Sequence, residues 1–128
     1  MKILVVEDEA RIRTVLKYNL ELDGHEVALA ENGQQALEIV STAQPELILL
    51  DIMMPVMGGL AACEKLKADP NTKEIPIFML TAKSQINDIE DAFKAGADDY
   101  LTKPFEPAEL SEKIQRKMET YRKKLSDE

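Results

Sequence analysis

Four short strand-like segments in this sequence, three of them apolar runs, stop at residues that can do chemistry. Lys2-Ile3-Leu4-Val5-Val6 runs into Glu7 and Asp8, and Leu47-Ile48-Leu49-Leu50 into Asp51. Ile75-Pro76-Ile77-Phe78-Met79-Leu80 runs into Thr81, and Asp99-Tyr100-Leu101-Thr102 into Lys103, followed by Pro104. Three carboxylates gathered at one place repel one another unless a positive charge sits among them. Oxygen donors with no cysteine or histidine beside them suit Mg²⁺ or Mn²⁺ rather than zinc. A carboxylate beside such an ion, with a hydroxyl and a lysine, is a phosphoryl-transfer set. The carboxylate attacks in line, the cations hold the phosphoryl oxygens, and an acyl phosphate results. Asp51 is the candidate nucleophile because it ends the most apolar run.

These residues meet only if the elements bring them together. Between the apolar runs the period changes from that of a strand to that of a helix. Ile12, Val15, Leu16 and Leu20 share one helical face, and Asp23-Gly24 ends that helix with a residue suited to the left-handed cap. His25 to Ala30 alternates as a half-exposed strand does, ending in Ala30-Glu31-Asn32 away from the site. Ala36, Leu37 and Val40 mark a second helix closed by Pro45, and Leu60, Cys63 and Leu66 a third, stopped by Asp69-Pro70. Ile86, Ile89 and Phe93 mark a fourth, ended at Gly96. Pro107 opens a fifth, carrying Leu110, Ile114, Met118, Tyr121 and Leu125. Leu47 to Leu50 is apolar on both faces, as a strand covered on both sides must be. Five strand-then-helix repeats predict an α/β fold, a parallel sheet with right-handed crossovers and helices on both faces. In such sheets the ligand sits beyond the carboxyl ends of the strands. Glu7, Asp8, Asp51, Thr81 and Lys103 all stand at those ends. Singly, an acid there caps a helix as readily as it binds a ligand, Thr81 reads as a cap, and Lys103 as a solvated charge; jointly they read as a site.

The segment from Leu47 through Asp51, Met53, Met54 and Pro55 to Gly58-Gly59 resembles the phosphorylation-site signature of the response-regulator receiver domain. Val5-Val6-Glu7-Asp8-Glu9, Met79-Leu80-Thr81-Ala82 and Gly96-Ala97-Asp98-Asp99-Tyr100-Leu101-Thr102-Lys103-Pro104-Phe105 agree in order and spacing. The likeness covers residues 1–117. It implies a flavodoxin-like (βα)5 fold with strand order 2-1-3-4-5. It implies Asp51 as phosphoacceptor, with Mg²⁺ held by Glu7, Asp8, Asp51 and the main-chain carbonyl of Met53. Thr81 and Lys103 would bind the phosphoryl group, Thr81 and Tyr100 would form the switch, and the Lys103–Pro104 peptide would be cis. Lys83 and Met53 would tune the lifetime of the phosphoryl group. The implied partners are a sensor histidine kinase or phosphotransfer protein as donor, and a downstream protein on the face of the fourth helix, fifth strand and fifth helix.

Other residues read more plainly. His25 is the only histidine and has a solvated or packing role, so the chain is not itself the histidine phosphodonor. Cys63 is a small core residue, Met53, Met54 and Met57 pack a loop, and Phe93 and Phe105 are core contacts of the last helices. An aspartate-nucleophile phosphatase would want a second aspartate at position 53, where Met53 stands. A dinucleotide site would want a Gly-x-Gly-x-x-Gly turn where Glu7-Asp8-Glu9 stands. A receiver that had lost phosphorylation would not keep the full acidic set.

Size and charge bound the rest. The 128 residues suit one domain, with a core over about 1–117 and the last helix extending through 118–128. Apolar residues make up 45%, a globular share, and the single cysteine fits a reducing cytoplasm. No apolar run is long enough to cross a membrane. A net charge of −8 argues against direct nucleic-acid binding, although residues 111–128 carry six basic and four acidic side chains. No effector domain is expected after residue 128, and a stand-alone receiver working by protein contact is preferred over the N-terminal part of a longer regulator. A helix from Pro107 to Leu125 would run about 28 Å against roughly 17 Å for a strand of about five residues. Tyr121 and Leu125, beside Arg122-Lys123-Lys124, are therefore expected to meet a second protomer, as in a homodimer, a partner, or a downstream domain; the alternative reading is a frayed, solvated tail.

Overall fold

The computed structural model describes residues 1–54, 56–82, 86–103 and 106–126. Five strands alternate with five helices: β1 Lys2–Val6, α1 Ala10–Leu22, β2 Glu26–Ala30, α2 Gly33–Ala43, β3 Leu47–Asp51, α3 Gly59–Ala68, β4 Ile77–Ala82, α4 Ile86–Lys94, β5 Asp99–Lys103 and α5 Pro107–Ser126. The sheet is parallel throughout, in the order β2-β1-β3-β4-β5. This is the flavodoxin-like order that the resemblance implies.

Strand alternation sorts the core into two layers. Ile3, Val5, Leu47, Leu49, Phe78, Leu80 and Leu101 pack with Leu16 and Leu20 of α1 and Leu110, Ile114 and Met118 of α5. Leu4, Val6, Ile48, Leu50, Ile77 and Met79 turn the other way, against α2, α3 and α4. All five β3 residues are buried, so the strand that delivers Asp51 is firmly fixed between the two layers. Each full burial of a leucine or isoleucine contributes roughly 1.5–3 kcal/mol.

The helix boundaries follow local chemistry. Asn32 caps α2 by accepting the Gln35 N–H at 2.9 Å. Gly24, just past α1, has φ +88°, as its cap position demands. Gly59 opens α3 so close to β3 that a Cβ there would lie 2.2 Å from the Asp51 carbonyl oxygen. Only glycine lets the helix start beside the strand end.

Some expectations need correction. β4 lies two residues later than predicted. The Ile75 N–H is spent in a turn to Thr72, whereas the ladder runs on through Thr81 opposite Thr102 and Ala82 opposite Lys103. Val15 is 42% exposed, because α1 seats Leu16 and Leu20 on the sheet and Val15 points about 100° away from Leu16. Phe93 is 46% exposed rather than a core contact. Buried Ala92 and Ala95 let α4 sit close to the sheet and leave the Phe93 ring at the margin, edge-on to Tyr100 at 5.9 Å between centroids. His25 precedes β2 rather than opening it, and its Nε2 lies 2.9 Å from Ser111 Oγ on α5. Burial, then the Met1 ammonium, lowers its pKa. Cys63 is fully buried, and desolvation pushes its thiol up to about 11, as befits an inert core residue.

Met118 is buried, whereas residues 119–126 are exposed apart from half-buried Tyr121, whose hydroxyl donates to the Glu74 carbonyl at 3.3 Å. Among the described residues no helix is long and apolar enough to cross a membrane. Lys83, Pro104 and Phe105, and with Pro104 the expected cis peptide, lie outside the described residues.

Candidate functional site

The strand ends converge as the topology requires. Glu7 follows β1, Asp51 is the last residue of β3, Thr81 is the next to last of β4, and Lys103 is the last of β5. Glu7 is fully buried, Asp51 and Thr81 nearly so, and Asp8 is exposed at the mouth. Carboxylate oxygens of Glu7, Asp8 and Asp51 all lie within 4.8 Å of one another. Lys103 Nζ donates to Glu7 Oε1 at 2.7 Å and to Asp51 Oδ2 at 3.1 Å. The other Asp51 oxygen accepts the Met53 N–H at 3.2 Å, so both its oxygens are oriented. A cavity of about 210 Å³ opens here, lined by Asp8, Glu9, Asp51, Ile52, Met53, Leu80, Thr81 and Lys103.

Electrostatics explain the lysine. Burial works against its charged form, but the hydrogen bond to Glu7 and the charges of Asp51 and Glu7 outweigh it, raising its pKa above the ordinary lysine value. Asp8 has the opposite problem. Partial desolvation, then the hydrogen bond and charge of Glu7, raise its carboxyl above the usual aspartate value. With Glu7, Asp8 and Asp51 all ionised, the one lysine leaves two of their three negative charges uncompensated, and Glu9 also lines the cavity. Three convergent hard oxygen donors with that residual charge fit a divalent cation of the Mg²⁺ class.

Sequence reasoning brought the right strand ends together but missed two supports. Gly59 lies within the motif that follows Asp51, but its steric role comes from the close approach of α3 to β3, which the motif does not encode. Arg13 was not singled out, although its side chain donates to the Glu7 carbonyl at 2.8 Å and the Asp8 carbonyl at 3.1 Å. The signal was there: a cation in the first turn of a helix opposes the dipole and needs another reason to be present. Tyr100 stands on β5 outside the cavity lining, edge-on to Phe93, with Lys117 Nζ 5.3 Å from its ring centroid.

The model of the response regulator receiver domain matches residues 3–115, and the chain belongs to this family. Among its relatives are the alkaline phosphatase synthesis transcriptional regulatory protein PhoP of Bacillus subtilis, 44% identical over 113 residues, and the phosphate regulon transcriptional regulatory protein PhoB of Pseudomonas aeruginosa, 47% identical over 108. These matches take in 88% and 84% of this chain but only 46% and 47% of the relatives, so the chain spans about half their length. Its fold matches chemotaxis response regulator CheY4 of Vibrio cholerae with a TM-score of 0.84 at 33% identity, covering 91% of this chain and 97% of that one. It also matches the receiver domain of sensor histidine kinase PA1611 from Pseudomonas aeruginosa, with a TM-score of 0.81 at 37% identity over 90% and 94% of the two chains. That structure has a magnesium ion coordinated in its active-site cleft.

Proposed function

We propose that Asp51 accepts a phosphoryl group from the phosphohistidine of a sensor histidine kinase or phosphotransfer protein, and that the modified domain signals through the face formed by α4, β5 and α5. The observation that carries this reading is the buried Asp51 carboxylate, held by Lys103 and Met53 in an open cavity beside two further acids. A carboxylate oxygen of Asp51 bonds to phosphorus as the bond from phosphorus to the donor's imidazole nitrogen breaks. The imidazole keeps that electron pair, and the acyl phosphate stays on Asp51. Glu7, Asp8, Asp51 and the Met53 carbonyl would hold Mg²⁺, with Mn²⁺ as the alternative; the bound ion supplies positive charge for the phosphoryl oxygens. Lys103, freed from Asp51 Oδ2 by the new bond, pairs with a phosphoryl oxygen and keeps Glu7 compensated. The chemistry is confined to Asp51 itself, its phosphorylation and its later hydrolysis.

Residues 1–128 are read as one receiver domain, working in the cytoplasm and on proteins rather than on nucleic acid, which a net charge of −8 repels. The PhoP and PhoB relatives are transcriptional regulators by name, which makes transcription the process it would control. Thr81 lines the cavity, and Tyr100 sits on the neighbouring strand two residues before Thr102, the residue opposite Thr81. The Thr81 hydroxyl turning to a phosphoryl oxygen would leave room for the Tyr100 ring to move inward. Beryllofluoride with Mg²⁺ should therefore shift amide resonances from the Asp51 rim through residues 86–121. Thr81→Ala should still accept phosphate yet weaken phosphorylation-dependent partner binding. Shifts confined to the rim would rule the switch out.

A further inference from the structure

Glu7, Asp8 and Glu9 make the whole connection between β1 and α1. The first α1 hydrogen bond in the turn runs from the Arg13 N–H to the Glu9 carbonyl at 2.9 Å, so the carbonyls of Glu7 and Asp8 lie ahead of the helix ladder. Both point to Arg13. Its Nη1 donates to Glu7 O at 2.8 Å and to Asp8 O at 3.1 Å, while Nη2 lies 3.5 Å from Glu31 Oε1. The side chain is only 15% exposed. A helical side chain leans back toward its own N-terminus, and the guanidinium fork fixes its donors in one plane.

The two carbonyls belong to the peptide planes on either side of the Asp8 Cα. Peptide units are rigid, so holding both planes sets φ and ψ at Asp8 and hence the direction of its Cβ. Asp8 is the exposed member of the acidic trio, and no core packing aims it. Glu31 follows β2, whose end contributes no residue to the cavity lining, and the guanidinium ties that end of the sheet to the acidic turn.

We infer that Arg13 is the positioning residue for Asp8: by clamping the Glu7 and Asp8 carbonyls and bracing on Glu31, it aims the Asp8 carboxylate into the cation site. The inference rests on the divalent-cation reading above and deepens it. Its sign is diagnostic. Removing a cation beside three acids would by charge alone tighten Mg²⁺ binding, whereas losing the clamp weakens it.

The test is MgCl₂ titration of the metal-free protein followed by amide NMR, for wild type, Arg13→Ala and Arg13→Lys. Arg13→Ala should bind about 10-fold more weakly or worse, the size usual for residues that orient metal ligands. Arg13→Lys keeps the charge but not the fork and should fall between the two. In the metal-free state, the ¹³C carbonyl shifts of Glu7 and Asp8 should move, and their amides should become more mobile, in both variants. Arg13→Ala binding as tightly as wild type, or more tightly, overturns the inference. A wild type that binds no Mg²⁺ instead overturns the divalent-cation reading, and the carbonyl shifts then decide the clamp: unchanged shifts and mobility reject it. If Arg13→Ala does not fold, Arg13→Lys carries the same comparison.

Discussion

Lys103 compensates two carboxylates at once, and Asp8 is the acid left over. That division sets the behaviour of the metal-free protein. Asp8 has a raised pKa in the folded state, so the folded protein holds its proton more tightly than the unfolded chain does. Its ionisation therefore costs stability as pH rises from about the ordinary aspartate value through the raised one. Asp8→Asn should stabilise the metal-free protein at neutral pH by less than about 1 kcal/mol, since an exposed charge is screened. The two proteins should converge in melting temperature at pH values where Asp8 is protonated in both states. Mg²⁺ reverses the order. At about 100 times its dissociation constant a native-state ligand adds roughly 2.7 kcal/mol, and Asp8→Asn should lose most of that gain. Melting curves with Mg²⁺ and with chelator measure both effects; a wild type indifferent to the metal would contradict them.

At the scale of elements, turns are held by a few charged contacts. Lys67 Nζ at the end of α3 donates to the Lys73 carbonyl at 3.1 Å, the Ile75 carbonyl at 2.9 Å and Asp98 Oδ2 at 2.8 Å. The same Asp98 oxygen accepts the Ile77 N–H at 2.9 Å, so the approaches to β4 and β5 share one clasp. Lys67→Ala would leave Asp98 and two carbonyls without their cation, and a cost of about 1–3 kcal/mol follows for this partly exposed pair. Chemical denaturation should register it as a lower midpoint at unchanged slope; a change below about 0.5 kcal/mol would show the clasp to be incidental. The last helix divides differently. Met118 is buried and Tyr121 reaches the Glu74 carbonyl, whereas Leu125 is 49% exposed. Truncation after Tyr121 should leave the melting temperature within a few degrees of the full chain while changing self-association or partner affinity. Truncation after Lys117 also deletes Met118, and losing a buried methionine adds about 2–5 kcal/mol of destabilisation. Scanning calorimetry separates the two; equal losses would place 122–126 in the core as well.

For the molecule as a whole, strict alternation of strand and helix is a strong signal. Once the strands are parallel, their carboxyl ends share a rim, and Glu7, Asp8, Asp51, Thr81 and Lys103 can be read off the sequence together. Contacts that depend on the path of a long side chain were not legible. Arg13 reaching back to two carbonyls, Lys67 crossing to Asp98 and His25 meeting Ser111 span separations that no period encodes. Nor could periodicity say that two alanines would carry α4 onto the sheet and leave Phe93 at the margin, since it registers apolarity and not closeness of approach. The pocket's function condenses to one group. The metal-free protein should be incubated with Mg²⁺ and acetyl phosphate and weighed intact. One phosphoryl adduct is predicted, labile to base and to hydroxylamine, absent without Mg²⁺ and absent in Asp51→Asn. An adduct that forms equally in Asp51→Asn, or none in the wild type under the same conditions, would contradict Asp51 as the phosphoacceptor.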